Sequence, residues 1–229
     1  MEFLVSQHGY HAVRNGKERG GTALFIRTSM KPCIRKVLTS GPDGRMSGVV
    51  MEQNGKRVVM VSVYMPTGLD FVADASSASE AGTIADKLYR QLLRWTTADV
   101  CDHALVLGDL NETMSSMDQS SAAGKSGRWI SCLPSADSVD AFRSIHGTDL
   151  AGFTHCAKRA GGRLAQSRLD YLFVRGWNVE DIRQCEVLQS LQVSNHRLAG
   201  MGRADLCSAV AASEWSANSR TIAQLAKCK

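Results

Sequence analysis

Ala104-Leu105-Val106-Leu107-Gly108-Asp109-Leu110-Asn111 is an aliphatic run closed by a glycine, with a carboxylate and a carboxamide two positions apart behind it. A short, continuous apolar run bounded by a turn residue reads as a strand buried on both faces. Residues two apart on an extended backbone point the same way, which predicts that Asp109 and Asn111 project together from the strand end. The carboxylate can take a proton from water or hold a cation. The amide can donate to a nucleophile or a phosphate oxygen without adding repulsive charge. Gly-Asp-x-Asn suits a turn closed by side-chain caps equally well, and the stretch alone leaves both open.

Further along, Ser167-Arg-Leu-Asp-Tyr-Leu-Phe-Val174 alternates as a strand, with Leu169, Tyr171 and Phe173 on one face and Arg168, Asp170, Leu172 and Val174 on the other. Arg168 and Asp170 then sit side by side at its start. An internal ion pair is the plain reading. The functional one has Asp170 accepting a hydrogen bond from an imidazole and holding its tautomer. Ser194-Asn195-His196 offers that imidazole. A carboxylate partner favours the imidazolium, which can stabilise negative charge developing on a phosphoryl oxygen. His103, His146 and His155 lack such a setting and read as structural.

The 229 residues, 44% hydrophobic and 21% charged, describe one folded domain with a sizeable core and exclude a fibrous or disordered chain. A formal charge of +5 is compatible with a polyanionic partner without requiring one. Seven scattered cysteines, never spaced Cys-x-x-Cys, argue against a disulfide framework or zinc ribbon and for a reducing, intracellular compartment, nuclear or cytoplasmic. No signal peptide is seen at the N-terminus, and no stretch approaches the roughly 20 apolar residues of a membrane helix. Short strands are predicted at 22–27, 47–51, 57–64, 104–107, 168–174 and 197–201. The three- and four-residue spacing of Ile84, Leu88, Leu92 and Trp95 predicts an amphipathic helix over 80–98. Residues 66–81 and 115–127 read as surface loops. Residues 1–203 are expected to form the domain, and the Ala- and Ser-rich 204–229 a tail or linker.

The order of these signatures resembles the endonuclease/exonuclease/phosphatase superfamily, which includes apurinic/apyrimidinic endonucleases, DNase I-like nucleases and the endonuclease domains of non-LTR retrotransposons. Arg19-Gly-Gly-Thr-Ala-Leu-Phe-Ile-Arg27 is similar to its Gly-Gly strand and Val61-Ser-Val-Tyr-Met-Pro66 to its Val-Tyr-x-Pro strand. Asp140-Ala-Phe-Arg143 and Phe153-Thr154 resemble two weaker elements. The resemblance implies an α/β fold, a four-layer sandwich of two mostly antiparallel sheets flanked by helices. It makes Asp109 the water-activating carboxylate and Asn111 its orienting partner. Tyr64 would approach the scissile phosphate, Asp170 would orient His196, and His196, with Arg168 and Asn111, would contact phosphate. Mg²⁺ or Mn²⁺ is the implied ion, with Asp109 and more weakly Asn195 as ligands, and DNA the implied partner.

Two departures stand out. The first strands of the family, whose Glu is the principal magnesium ligand, have no counterpart here, so the chain is expected to be N-terminally incomplete. Ser-Asn-His stands where the family usually has Ser-Asp-His, replacing a carboxylate by a neutral amide. The resulting expectation is a metal-dependent phosphodiesterase, an endonuclease of retroelement type. The alternatives are a phosphatase acting on phosphoinositides or small phosphate esters, and a non-catalytic nucleic-acid-binding module using Arg14, Lys17, Arg19, Arg27, Lys31, Arg35 and Lys36.

Overall fold

The computed structural model describes residues 10–15, 21–40, 44–66, 75–120, 127, 130–182, 185–193 and 196–200; at 10, 14–15, 75–83, 135, 160, 188–193 and 196–200 it describes the backbone alone. In chain order the elements are β1 (Tyr10–Asn15), β2 (Thr22–Arg27), β3 (Ile34–Thr39), β4 (Met46–Gln53), β5 (Lys56–Tyr64), helix α1 (Ala75–Trp95), β6 (His103–Asp109), β7 (Val139–Asp140), helix α2 (Ala141–His146), β8 (His155–Lys158), β9 (Leu164–Ser167), β10 (Asp170–Arg175), β11 (Glu186–Val193) and β12 (His196–Gly200).

Six strands form a central sheet in the order β3-β4-β5-β6-β10-β7. Its pairings are antiparallel except β5 with β6. A parallel neighbour needs a crossover, and α1 supplies it. The alternation of β5 and β10 then divides the core in two. Val59, Val61, Val63, Val106, Tyr171 and Phe173 meet Leu88, Tyr89 and Leu92 of α1. Val49, Leu107, Leu172 and Val174 meet Val13, Leu24 and Ile26 of the β1–β2 hairpin and Ala141 and Phe142 of α2. A four-stranded antiparallel sheet, β11-β12-β8-β9, flanks this arrangement, and its β12 lies against β10. The architecture is the mixed α/β fold that the resemblance implies.

Where the sequence reading and the structure differ, local chemistry accounts for it. The helix starts at Ala75, inside the stretch read as a loop. It stops at Trp95 because the Thr96 hydroxyl donates to the carbonyls of Leu92 and Leu93, closing the last turn. The 115–127 stretch is not all surface, since Asp118 within it is completely buried. Residues 201–229, and with them the expected tail, lie outside the described residues, as do residues 1–9. Among the described residues, Cys33, Cys101, Cys132, Cys156 and Cys185 are free thiols, and no helix is long and apolar enough to cross a membrane.

Candidate active site

Sheet register brings the candidate residues into two rows. Tyr64 pairs with Asp109 across β5–β6, and Asp109 with Asp170 across β6–β10, so these three lie side by side at one end of the central sheet. In the flanking sheet Val193 pairs with His196, His196 with His155, and His155 with Ser167. Ser167 ends β9 and Asp170 begins β10, so only Arg168 and Leu169 separate the rows where they meet. The side chain of His196, and all of Asn195, lie outside the described residues.

Asp109 owes its position to Gly108. A side chain there would put its Cβ 2.0 Å from the Val63 carbonyl oxygen, and the backbone holds φ at +146°, a value that favours glycine. The backbones of β5 and β6 can thus close together just where the carboxylate follows. Asp109 and Asp170 are both buried and occupy opposed positions, where like charges repel.

Asn111 does not project along an extended strand beside Asp109. The strand ends at Asp109, Leu110 turns into the core, and Asn111 adopts φ +51°. Its N–H donates to Asp109 Oδ1 at 3.0 Å and its side-chain amide to the Met65 carbonyl at 2.6 Å. The capped turn, one of the two sequence readings, is what forms. An amide nitrogen carries a second N–H, so the anchored Asn111 still keeps a donor beside Asp109.

Arg168 is a correction. It was expected to contact phosphate, yet it is 1% exposed. Its guanidinium grips Asp140 with two bonds, Nη1 to Oδ1 at 3.1 Å and Nη2 to Oδ2 at 2.6 Å, while Nε donates to Asp118 at 2.8 Å. It lies 4.3 Å over the Tyr171 ring. Arg143 adds a 2.5 Å ion pair to Asp118. Burial pushes the Asp118 carboxyl up, and the two guanidinium groups outweigh it and hold the group below its ordinary range. Arg168 therefore leaves the ladder before β10 begins, its N–H donating to the Asp118 carbonyl at 2.8 Å. Asp140 also caps α2, accepting from the N–H groups of Phe142 and Arg143. Asp118 carried no sequence signal in its Ser-rich setting. Arg45, also missed, lies 5.3 Å over the half-buried Tyr64 ring and brings a cation to the end of the Tyr64 row.

The remaining histidines differ. His146 Nε2 is 2.7 Å from the Cys185 carbonyl and its ring packs on Phe142. His103 stacks on Trp177 at 4.6 Å, its pKa depressed by burial. Both are structural, as read from the sequence. His155, read the same way, instead occupies the row of His196.

A sequence profile described as the Endonuclease/Exonuclease/phosphatase family matches residues 3–196. The chain belongs to this family. Similar solved structures include an AP endonuclease from Archaeoglobus fulgidus, at 19% identity and a TM-score of 0.64, covering 86% of this chain and 80% of that one. A 3′ phosphatase, NExo, from Neisseria bound to product DNA hairpin aligns at 16% identity with a TM-score of 0.61, over 85% and 79% of the two chains. The endonuclease domain of TRAS1, a telomere-specific non-LTR retrotransposon, aligns at 15% identity with a TM-score of 0.52, over 82% and 77%. These likenesses establish a DNase I-like fold. No curated protein sequence matches the chain. The family is generally divalent-metal dependent. Among the described residues, however, no three His, Cys, Asp or Glu side chains gather to hold an ion. Magnesium is ordinarily held by one or two carboxylates, with water and substrate phosphate completing its shell, so Asp109, with Asp170 beside it, is the residue that would hold an ion here.

Proposed function

We propose that this member of the family hydrolyses phosphodiester bonds of DNA, as an endonuclease of retroelement type. The observation that carries the reading is the in-register row Tyr64, Asp109 and Asp170, joined through two residues to the row of His196. In this reading Asp109 accepts the proton of the attacking water, and the turn N–H of Asn111 on its Oδ1 fixes the carboxylate in place. Tyr64 meets the scissile phosphate at the end of the row. Asp170 holds the His196 imidazole, which stabilises charge developing on the phosphoryl oxygen. Asp109, with Asp170 beside it, would hold a divalent ion, which would supply positive charge to the phosphoryl oxygens, and no step here passes through it.

The retroelement preference is supported by the Tyr64-Met-Pro-Thr-Gly68 and Gly108-Asp-Leu-Asn-Glu-Thr113 stretches, and by the likeness in fold to the TRAS1 domain. The test is nicking of supercoiled plasmid by the purified chain with Mg²⁺, Mn²⁺ or EDTA, with His196→Ala as the contamination control. Nicking that needs both a divalent ion and His196 is expected. A folded chain that binds DNA with steep salt dependence and never nicks it would overturn the catalytic reading in favour of a binding module. Release of phosphate from small esters without DNA binding would favour the phosphatase.

A further inference from the structure

We infer that Thr154 is a positioning residue, whose hydroxyl fixes Asp170 at the junction of the two sheets; the action of Asp170 on His196, and with it the activity readout, rests on the phosphodiesterase reading above. Thr154 is 1% exposed and stands immediately before β8. Its N–H donates to the Ser167 carbonyl at 3.0 Å. Its Oγ1 accepts from two successive backbone groups, the N–H of Leu169 at 3.0 Å and that of Asp170 at 3.1 Å. A hydroxyl offers two acceptor lone pairs, and both are taken by the first residues of the segment that carries the carboxylate.

The next residue is His155, which the register pairs with both Ser167 and His196. Thr154 therefore touches the backbone of Asp170 with its side chain and lies one residue from the backbone position opposite His196. The covalent link between the sheets here is Arg168-Leu169, and the Leu169 carbonyl is held by the Leu110 N–H at 2.8 Å, beside Asp109. Without the Thr154 hydroxyl one half-buried and one buried N–H lose their acceptor, and the start of β10 must shift to find others. A shift of that kind moves Asp170 relative to β12, the strand that packs against β10.

The test compares Thr154→Val, which keeps the shape and removes the hydroxyl, with Thr154→Ser, which keeps the hydroxyl, using kcat and KM for cleavage of a defined DNA duplex. Thr154→Val should lower kcat about 10- to 100-fold with KM unchanged, the scale of a displaced supporting residue, and Thr154→Ser should restore most of it. A folded Thr154→Val with the kcat of the parent, a change in KM alone, or no rescue by serine would overturn the inference. If the parent does not cleave DNA, the functional reading fails separately, and positioning is read by NMR. The Leu169 and Asp170 amide and His196 ring resonances should move in Thr154→Val and stay in Thr154→Ser; an unmoved His196 ring overturns the proposal. Thr154→Ala serves the same comparison if the valine variant does not fold.

Discussion

Replacing Arg168 by methionine, which keeps much of the stem and deletes the charge, tests the view that this arginine frames the site and does not meet the substrate. The side chain makes hydrogen bonds of 2.8 Å to Asp118 and of 3.1 and 2.6 Å to Asp140, all in a buried setting. Removing one partner of a buried ion pair costs about 3–5 kcal/mol, because the remaining charge stays desolvated. For a chain of this size each kcal/mol lowers Tm by about 2–4 °C, giving a loss of roughly 6–20 °C. Arg143 remains on Asp118, which places the expectation in the lower half of that range.

The loss should also depend on pH in a definite direction. With Arg168 present the folded-state pKa of Asp118 is depressed, so its contribution is present above the ordinary carboxylate value and is lost as pH falls towards the folded one. With Arg168 gone, Arg143 alone opposes the burial, and the folded pKa of Asp118 rises from its depressed position. A smaller depression leaves less stability at neutral pH to be lost on acidification. The gap in Tm between parent and Arg168→Met should therefore be widest near neutral pH and narrow towards about pH 4. Thermal melts followed by circular dichroism across that range measure it. A Tm change under about 2 °C, together with weaker DNA binding and a salt slope reduced by about 1, would show a phosphate contact and refute the reasoning.

Three further outcomes follow from the same geometry. Asp109→Ala and His196→Ala should each abolish cleavage in the nicking assay while leaving the circular dichroism spectrum unchanged, and an unchanged rate in either variant removes that residue from the proposed machinery. Gly108→Ala must force its Cβ against the Val63 carbonyl oxygen; a destabilisation of about 1–3 kcal/mol in urea unfolding is expected, with cleavage falling further than stability because Asp109 is the next residue. Asn195→Asp should strengthen activation by Mg²⁺ in a metal titration if position 195 faces the ion, and an identical titration curve rejects that placement.

Much of the fold is legible because strand periodicity is a local signal. The reading at 22–27 coincides with β2 from end to end, and those at 57–64 and 104–107 fall inside β5 and β6. Local signals fail where a partner elsewhere in the chain decides the outcome. β1, β8 and β9 are short and carry few apolar residues, so each gives little periodic signal of its own and forms as one arm of a hairpin whose other arm supplies the ladder. The onset of α1 at Ala75 is hidden in a run of serine and alanine with little hydrophobic pattern.

The site shows the same division more sharply. Its chemistry-bearing residues stand out because Asp, Asn and His next to apolar runs are locally anomalous. The residues that hold them do not stand out, since their partners are far away: Asp118 meets Arg168 across fifty positions and Asp140 meets it across twenty-eight. In sequence Arg168 reads as the ion-pair partner of Asp170, and the fold turns the two apart, the arginine inward to Asp118 and Asp140 and Asp170 onto the ladder opposite Asp109. That separation fits the proposed function: a guanidinium engaged by Asp118 and Asp140 fixes the segment that leads into β10, where in the proposed reading Asp170 acts on His196.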